Sequence, residues 1–283
     1  IINKIIVTKN TPLKVEGVPN PTNLLVPKII GGGSNRFFRV DDGGLLELKH
    51  LNLTGGSVVN NMGGAIYVWD KDATMILENI ILHSNEAEYG GAIALQMGSS
   101  GTVTFKNVVC RKNIVQQYYG GCLYAGQWGS INISNSIIED NVAGNRGGGM
   151  YFESVGATAG NIISVDSTII RNNKATILHA LEGGGGIWIN KGNSLGAITK
   201  VQNTIFEDNS AYNGGALHCS QCDVRFNNVT CIHNTAESQG GAVYATSLNT
   251  EVVLYRSTME QNEAHYGGAL CCKNGPTCSV TSE

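Results

Sequence analysis

The sequence predicts an all-β chain built as a right-handed parallel β-helix, about ten coils of 26–30 residues with three short strands in each. Three observations lead there. A glycine doublet followed by a small and then an aliphatic residue recurs at Gly63, Gly90, Gly120, Gly147, Gly184, Gly214, Gly240 and Gly267, at separations of 27, 30, 27, 37, 30, 26 and 27 residues. An asparagine runs in phase with it, 5 to 11 residues ahead of each doublet from the second onward: Asn85, Asn113, Asn141, Asn173, Asn209, Asn234 and Asn262. Between these markers apolar and polar residues alternate, the pattern of strands with one buried face.

Residues 1–62 read as irregular opening coils and 63–283 as the repeat coils of one domain. In each repeat the first strand leaves the doublet and points two apolar residues inward, as in Ile66 and Val68, Ile93 and Leu95, Met150 and Phe152, and Ile187 and Ile189. A second strand carries pairs such as Met75 and Leu77, Val103 and Phe105, Ile131 and Ile133, Val224 and Phe226, and Val252 and Leu254. The third contributes one column: Leu82, Cys110, Ile138, Ile170, Phe206, Cys231 and Met259. A single coil buries too little to offset the ordering of its own backbone, so the coils must stack, each bonding to both neighbours. The doublets and asparagines then read as corners. Glycine tolerates positive φ and close backbone approach; asparagine enters the left-handed region cheaply, and its amide bonds the neighbouring turn, so Asn85 to Asn262 form an axial ladder.

Composition narrows the function classes. Charged residues make up 14% of the chain, against about 25% in a typical globular protein. A net charge of −3 without a basic cluster gives no electrostatic reason to expect nucleic acid or an anionic membrane as partner. No apolar run approaches the roughly 18 residues of a membrane helix, so no membrane insertion by this segment is expected. Eight cysteines, an even number clustered toward the end, lean to an oxidising, extracellular setting.

The repeats resemble those of chlamydial polymorphic outer membrane proteins, with their GGA(I/L/V) and FxxN motifs. They stand here as GGAIY (63–67), GGAIA (90–94), GGALH (214–218), GGAVY (240–244), GGALC (267–271) and the literal Phe206-Glu207-Asp208-Asn209. The likeness extends over residues 29–278, with Phe replaced by Leu, Cys, Ile or Met in most FxxN copies. The resemblance implies a right-handed β-helix and a surface adhesin; the C-terminal β-barrel of such autotransported proteins is not expected within these 283 residues.

Chemistry is sparse along the chain. Glycan-cleaving β-helix enzymes need clustered carboxylates or a Ca²⁺ cage. Asp41-Asp42 precedes a turn, and Glu139, Glu207 and Glu260 share an outward column but are spaced apart by coils carrying Arg171 and Ile232. The glycines at 183–186 lack a following GK[ST] and sit in phase with the repeat, so they read as a corner. Histidines 50, 83, 179, 218, 233 and 265 are scattered, and neither a metal nor any other cofactor is expected. Two loop-closing disulfides are expected, Cys219 with Cys222 and Cys272 with Cys278; the runner-up is a zinc site of Cys219, Cys222, Cys271 and Cys272. Cys110 and Cys231 read as small core residues without partners.

Three features qualify as contact surfaces. Alternation turns Tyr67, Tyr124, Tyr151, Trp188 and Tyr244 outward as an aromatic stripe, either a platform for sugars or neighbours, or a ladder that packs on itself; the second is favoured. Sequons at Asn52, Asn132 and Asn228 are glycosylation candidates, with Asn132 facing outward. Insertions at Val155 to Asn161 and Ala175 to Leu181 lengthen one coil and read as protruding loops. The expectation is a non-enzymatic extracellular structural or adhesive protein of a cell surface, partnered by its own copies, surface components or glycans. End-to-end stacking into a filament extends it, since the first residues, Ile1 and Ile2, are apolar and the last, Ser279 to Glu283, lie mid-coil. The alternative is a polysaccharide-binding or polysaccharide-degrading β-helix enzyme.

Overall fold

A computed structural model describes residues 4–19, 26–70, 72–96, 98, 100–127, 129–153, 162–176, 183–190 and 198–281. These residues form a parallel β-solenoid without helix, and every pairing between strands is parallel to the equivalent strand of the next coil. Eight doublet-led coils follow two opening rungs, giving ten strands in the sheet that leaves the doublets, from Ile5–Val7 to Leu270–Lys273. The glycine doublets align along the axis: Gly64, Gly91, Gly121, Gly148, Gly185, Gly215 and Gly241 each donate a backbone hydrogen bond to the first glycine of the next doublet, at 3.0–3.4 Å. The first glycine has φ between 61° and 72° in every doublet. The second is needed for contact instead, because a Cβ on Gly91 would overlap the carbonyl oxygen of Gly121 one coil on.

Each coil contributes to three sheets, though not as the three expected strands. In one coil the chain runs through Ile93–Gln96, Thr102–Lys106, Val109–Arg111 and Ile114–Val115. The expected second and third strands are two halves of one bent sheet; in earlier coils they fuse into ten-residue strands, Leu45–Thr54 and Thr74–His83. The third sheet lies beyond the asparagine ladder in short strands, including the four-residue Glu86–Tyr89 and the two-residue Val142–Ala143 and Lys174–Ala175. Its inward column is small: Ala87, Val115, Ala143, Ala175, Ala211 and Ala236 are all buried.

The interior is one continuous apolar cluster, in which every inward pair expected of the first two strands is buried. The column Leu82, Cys110, Ile138, Ile170, Phe206 and Cys231 is fully buried, and Met259, in the coil led by Gly240, partly so. The asparagine ladder closes this core. Asn113 donates from its backbone and from Nδ2 to Asn141 Oδ1, both at 3.0 Å, and from Nδ2 to the Leu82 carbonyl at 3.1 Å; the pattern repeats from Asn85 to Asn262. One corner reading needs correction. The ladder asparagines are not the left-handed residues; the residue before each is, as at Lys112 (53°), Asp140 (55°) and Asn172 (53°), because that turn swings the asparagine side chain inward.

A second corner column has the conformation expected of the first. His50, Asn79, Asn107, Asn135, Ser167, Asn203, Asn228 and Arg256 bend the middle sheet with φ of 48–55°. Where asparagines adjoin, their amides bond across coils, Asn107 to Asn79 at 3.0 Å and Asn228 to Asn203 at 2.8 Å.

Candidate functional site

The outer face of the doublet sheet carries the densest group of distinctive side chains, and it departs from the expected outward stripe. Tyr67, Tyr124, Tyr151, Trp188 and Tyr244 do point away from the main core, in register along successive strands. They are nevertheless buried, at 0–7% exposure, and four of them form a second apolar cluster with Ala94. The cover comes from the residue just before each doublet. Met62, Tyr89 and Tyr119 fold over the stripe, and Arg146 lies 4.9 Å from the Trp188 ring and 5.4 Å from the Tyr119 ring. The rings stack along the axis, Tyr151 on Trp188 at 4.6 Å and Tyr119 on Tyr151 at 4.5 Å. Arg36 caps the other end, 5.0 Å from the Tyr67 ring. Burial pushes the Tyr67 hydroxyl up to about 12 and raises Tyr124 and Tyr151 as well. Of the two readings of the stripe, the ladder packed on itself is the one the geometry shows.

Further along the axis the cover thins. Before the next doublets stand Gly183, Asn213 and Gln239, and here the stripe continues as His218 and Tyr244. His218 is 3% exposed, and neither ring nitrogen has a hydrogen-bond partner; nor has Trp188 Nε1. Burial, and secondarily Arg146, pushes His218 down to about 3, so its imidazole is neutral. Trp188, His218, Gln239 and Tyr244 are among the residues that line a groove of about 470 Å³.

Cysteines partly match expectation. Cys219–Cys222 and Cys272–Cys278 are disulfides, which removes three of the four ligands from the zinc alternative. No group of three or more His, Cys, Asp or Glu able to hold a metal occurs among the described residues. Cys110 is not a lone core residue: it is bonded to Cys122, with Cα atoms 6.1 Å apart. Cys122 takes the position held by Ala65, Ala92, Ala216 and Ala242 in other coils, whose Cβ points into the core toward the third column. Cys231 is buried and free, its thiol pushed up to about 12 by burial, and Cys271 is half-buried and free.

The remaining candidates separate. Asn132 is exposed as expected, Asn52 is half-buried with Thr54 of its sequon buried, and Asn228 is exposed with its amide bonded to Asn203. Glu139, Glu207 and Glu260 share one column with Arg171 and Ile232 between them, and Arg171 bonds Glu139 at 2.7 Å. A charge ladder not foreseen from the sequence crosses the middle sheet: Lys14 to Glu47 at 2.7 Å, Glu47 to Lys49 at 3.1 Å, Lys49 to Glu78 at 3.4 Å and Glu78 to Lys106 at 2.8 Å. His179, the insertion at 155–161 and residues 177–181 of the insertion expected over 175–181 lie outside the described residues, while Ala175, expected to open that insertion, belongs to the strand Lys174–Ala175.

The family model of the Chlamydia polymorphic membrane protein (Chlamydia_PMP) repeat matches residues 203–220 and 228–246. No curated protein and no solved structure matches the chain. Each matched segment starts at or just after the second corner, passes a ladder asparagine and a doublet, and ends with the first-sheet strand, at Leu217–Ser220 and Val243–Thr246. With ladder, doublet and strand in equivalent places, the chain carries Chlamydia polymorphic membrane protein repeats within a parallel β-solenoid.

Proposed function

We propose that the chain is a non-enzymatic, extracellular structural and adhesive rod of a cell surface. The observation that carries this reading is the match to a surface-protein repeat in two coils built like their neighbours, with the same stacked doublets and the same ladder. The carboxylates support it. Glu47 and Glu78 are held below the usual range by hydrogen bonds from Lys14 and Lys106 respectively, with Lys49 adding to both; Asp166 is lowered by Asn203. Cleavage of a glycan by general acid catalysis asks for a carboxyl raised above that range. Axial stacking is the finer part of the proposal. It extends to separate copies the coil-on-coil backbone hydrogen bonding that stacks the coils within the chain.

Two assays test the reading. Beads coated with the chain are expected to be retained on cells, and incubation with acidic and neutral polysaccharides is expected to release no new reducing ends and no unsaturated sugars. Product release would favour the degrading alternative, and absence of retention would remove adhesion. Sedimentation at rising concentration is expected to show growing assemblies; a monomer throughout removes stacking.

A further inference from the structure

The half of the middle sheet between the second corner and the asparagine ladder carries an unusual outer face. Each of its strands sends one side chain into the core and two outward. In five consecutive coils the first outward residue is aliphatic: Ile81, Val109, Ile137, Ile169 and Ile205, in register coil on coil. Ile205 is 39% exposed. An aliphatic ridge on the solvent side departs from the apolar-in, polar-out alternation of a sheet with one wet face, and such a ridge marks a contact surface.

Beside the ridge the second outward residue is charged in a definite order. His83, Arg111, Glu139, Arg171 and Glu207 occupy successive coils, and Ile232 follows. Arg171 bonds Glu139 at 2.7 Å, while neither Arg111 nor Glu207 is in an ion pair among the described residues. One position further, the left-handed corner carries Lys112, Asp140, Asn172 and Asp208 in the same coils.

This order complements itself when reversed. A two-fold axis lying across the rod, between the coils of Glu139 and Arg171, brings each coil against the one equally far on the other side. Arg111 then faces Glu207 of a second copy, Lys112 faces Asp208 and Glu139 faces Arg171, while the ridge meets itself with Val109 on Ile205 and Ile137 on Ile169. Moving the axis onto the coil of Glu139 sets Arg111 against Arg171, and moving it onto the coil of Arg171 sets Glu139 against Glu207. A two-fold running along the rod sets each coil against itself and offers Arg111 no carboxylate. Opposite charges meet in one antiparallel register, and a closed symmetric contact of this kind uses the same patch on both copies.

We propose that two copies of the chain pair side by side and antiparallel through this face, with the aliphatic ridge at the centre and Arg111 of each copy on Glu207 of the other. Five coils at about 4.8 Å and four residues at about 3.3 Å span roughly 24 by 13 Å, about 300 Å² of face per copy against about 800 Å² in a standard interface, so the pair is weak and reversible. The inference is separate from adhesion and from axial stacking, because a closed pair stops at two and leaves the rod no longer than before.

The experiment is small-angle X-ray scattering of the full chain at low salt and rising concentration, up to about 1 mM. The mass is expected to approach twice that of the monomer as the cross-section widens and the length stays constant, and high salt is expected to weaken the pair at least tenfold. Arg111→Glu and Glu207→Arg, at half-buried surface positions, are each expected to fold, by circular dichroism, and to self-associate at least tenfold more weakly. Mixed together, these two variants are expected to pair with each other as well as the parent chain does, since the axis places position 111 of one copy on position 207 of the other. A monomer at every concentration, a pair that lengthens the rod, unchanged association in both variants, or a mixture that stays monomeric would each overturn the proposal. A chain that pairs but is not retained on cells keeps the pair and removes adhesion.

Discussion

Truncating one central ladder asparagine tests how the coils are held together. In Asn141→Ala four hydrogen bonds disappear: from Asn113 N and Nδ2 to Asn141 Oδ1, both at 3.0 Å, and from Asn141 Nδ2 to the Cys110 carbonyl at 2.9 Å and to Asn173 Oδ1 at 3.0 Å. Asn113 N–H then has no acceptor in a place that is fully buried. At roughly 1 kcal/mol per lost bond, plus about 1–3 kcal/mol for the orphaned donor, the cost is on the order of 5 kcal/mol. Asn262→Ala makes the comparison. It removes three bonds, to Asn234 N, Asn234 Nδ2 and the Cys231 carbonyl, but in half-buried surroundings where water substitutes, so about 1–2 kcal/mol is expected. Urea unfolding followed by circular dichroism gives the totals. Because solenoids unfold in pieces, amide exchange at Asn113 supplies the local value. Equal costs for the two variants, or unchanged exchange at Asn113 in Asn141→Ala, would refute the reasoning.

Other perturbations give equally definite expectations. Gly91→Ala drives a Cβ into the Gly121 carbonyl and should destabilise by about 2–4 kcal/mol, whereas Gly32→Ala, with nothing within 4 Å, should change stability by less than about 1 kcal/mol in urea titrations. Peptide mapping without reduction should join Cys110 to Cys122, and a thiol reagent should modify Cys271 in the native chain but reach Cys231 only after unfolding. The lysines around Glu47 and Glu78 lower both carboxyls from an ordinary value of 4.5. Their contribution is therefore complete above that value and is lost as pH falls through the lowered one. Melting temperature should drop over that acidic window, and the drop should shrink in high salt; a drop insensitive to salt would discount the charge ladder.

Much of the fold is legible in the residues, because a solenoid repeats its local rules. The doublets mark a corner that needs positive φ at one glycine and bare backbone at the next, and both demands exclude other residues in every coil. The ladder asparagines are legible for the same reason, although the left-handed turn falls one residue earlier than their type suggests. The third sheet is not legible from periodicity: strands such as Val142–Ala143 are two residues long, and only the small-residue column Ala87 to Ala236 betrays them. Burial of the aromatic stripe is hidden for a different cause. Alternation tells which side of the sheet Tyr151 takes, but not that Tyr119, from the strand end of the preceding coil, lies on it. The Cys110–Cys122 bond escapes likewise, since twelve residues of separation say nothing about two side chains converging inside the coil. The groove follows from the same cover column, visible once Met62, Tyr89, Tyr119, Arg146 and Gly183 are seen to occupy one place.

The stacking itself is tested most directly by crosslinking across coils. Thr104 and Asn132 are register partners on the outward face of the middle sheet, about 4.8 Å apart by strand spacing, within the reach of a disulfide. Thr104→Cys combined with Asn132→Cys should oxidise to an intramolecular bond found by peptide mapping, while Thr104→Cys combined with Ser134→Cys, two residues out of register, should not. Crosslinking of the second pair in preference to the first would contradict the coil-on-coil register on which the account stands.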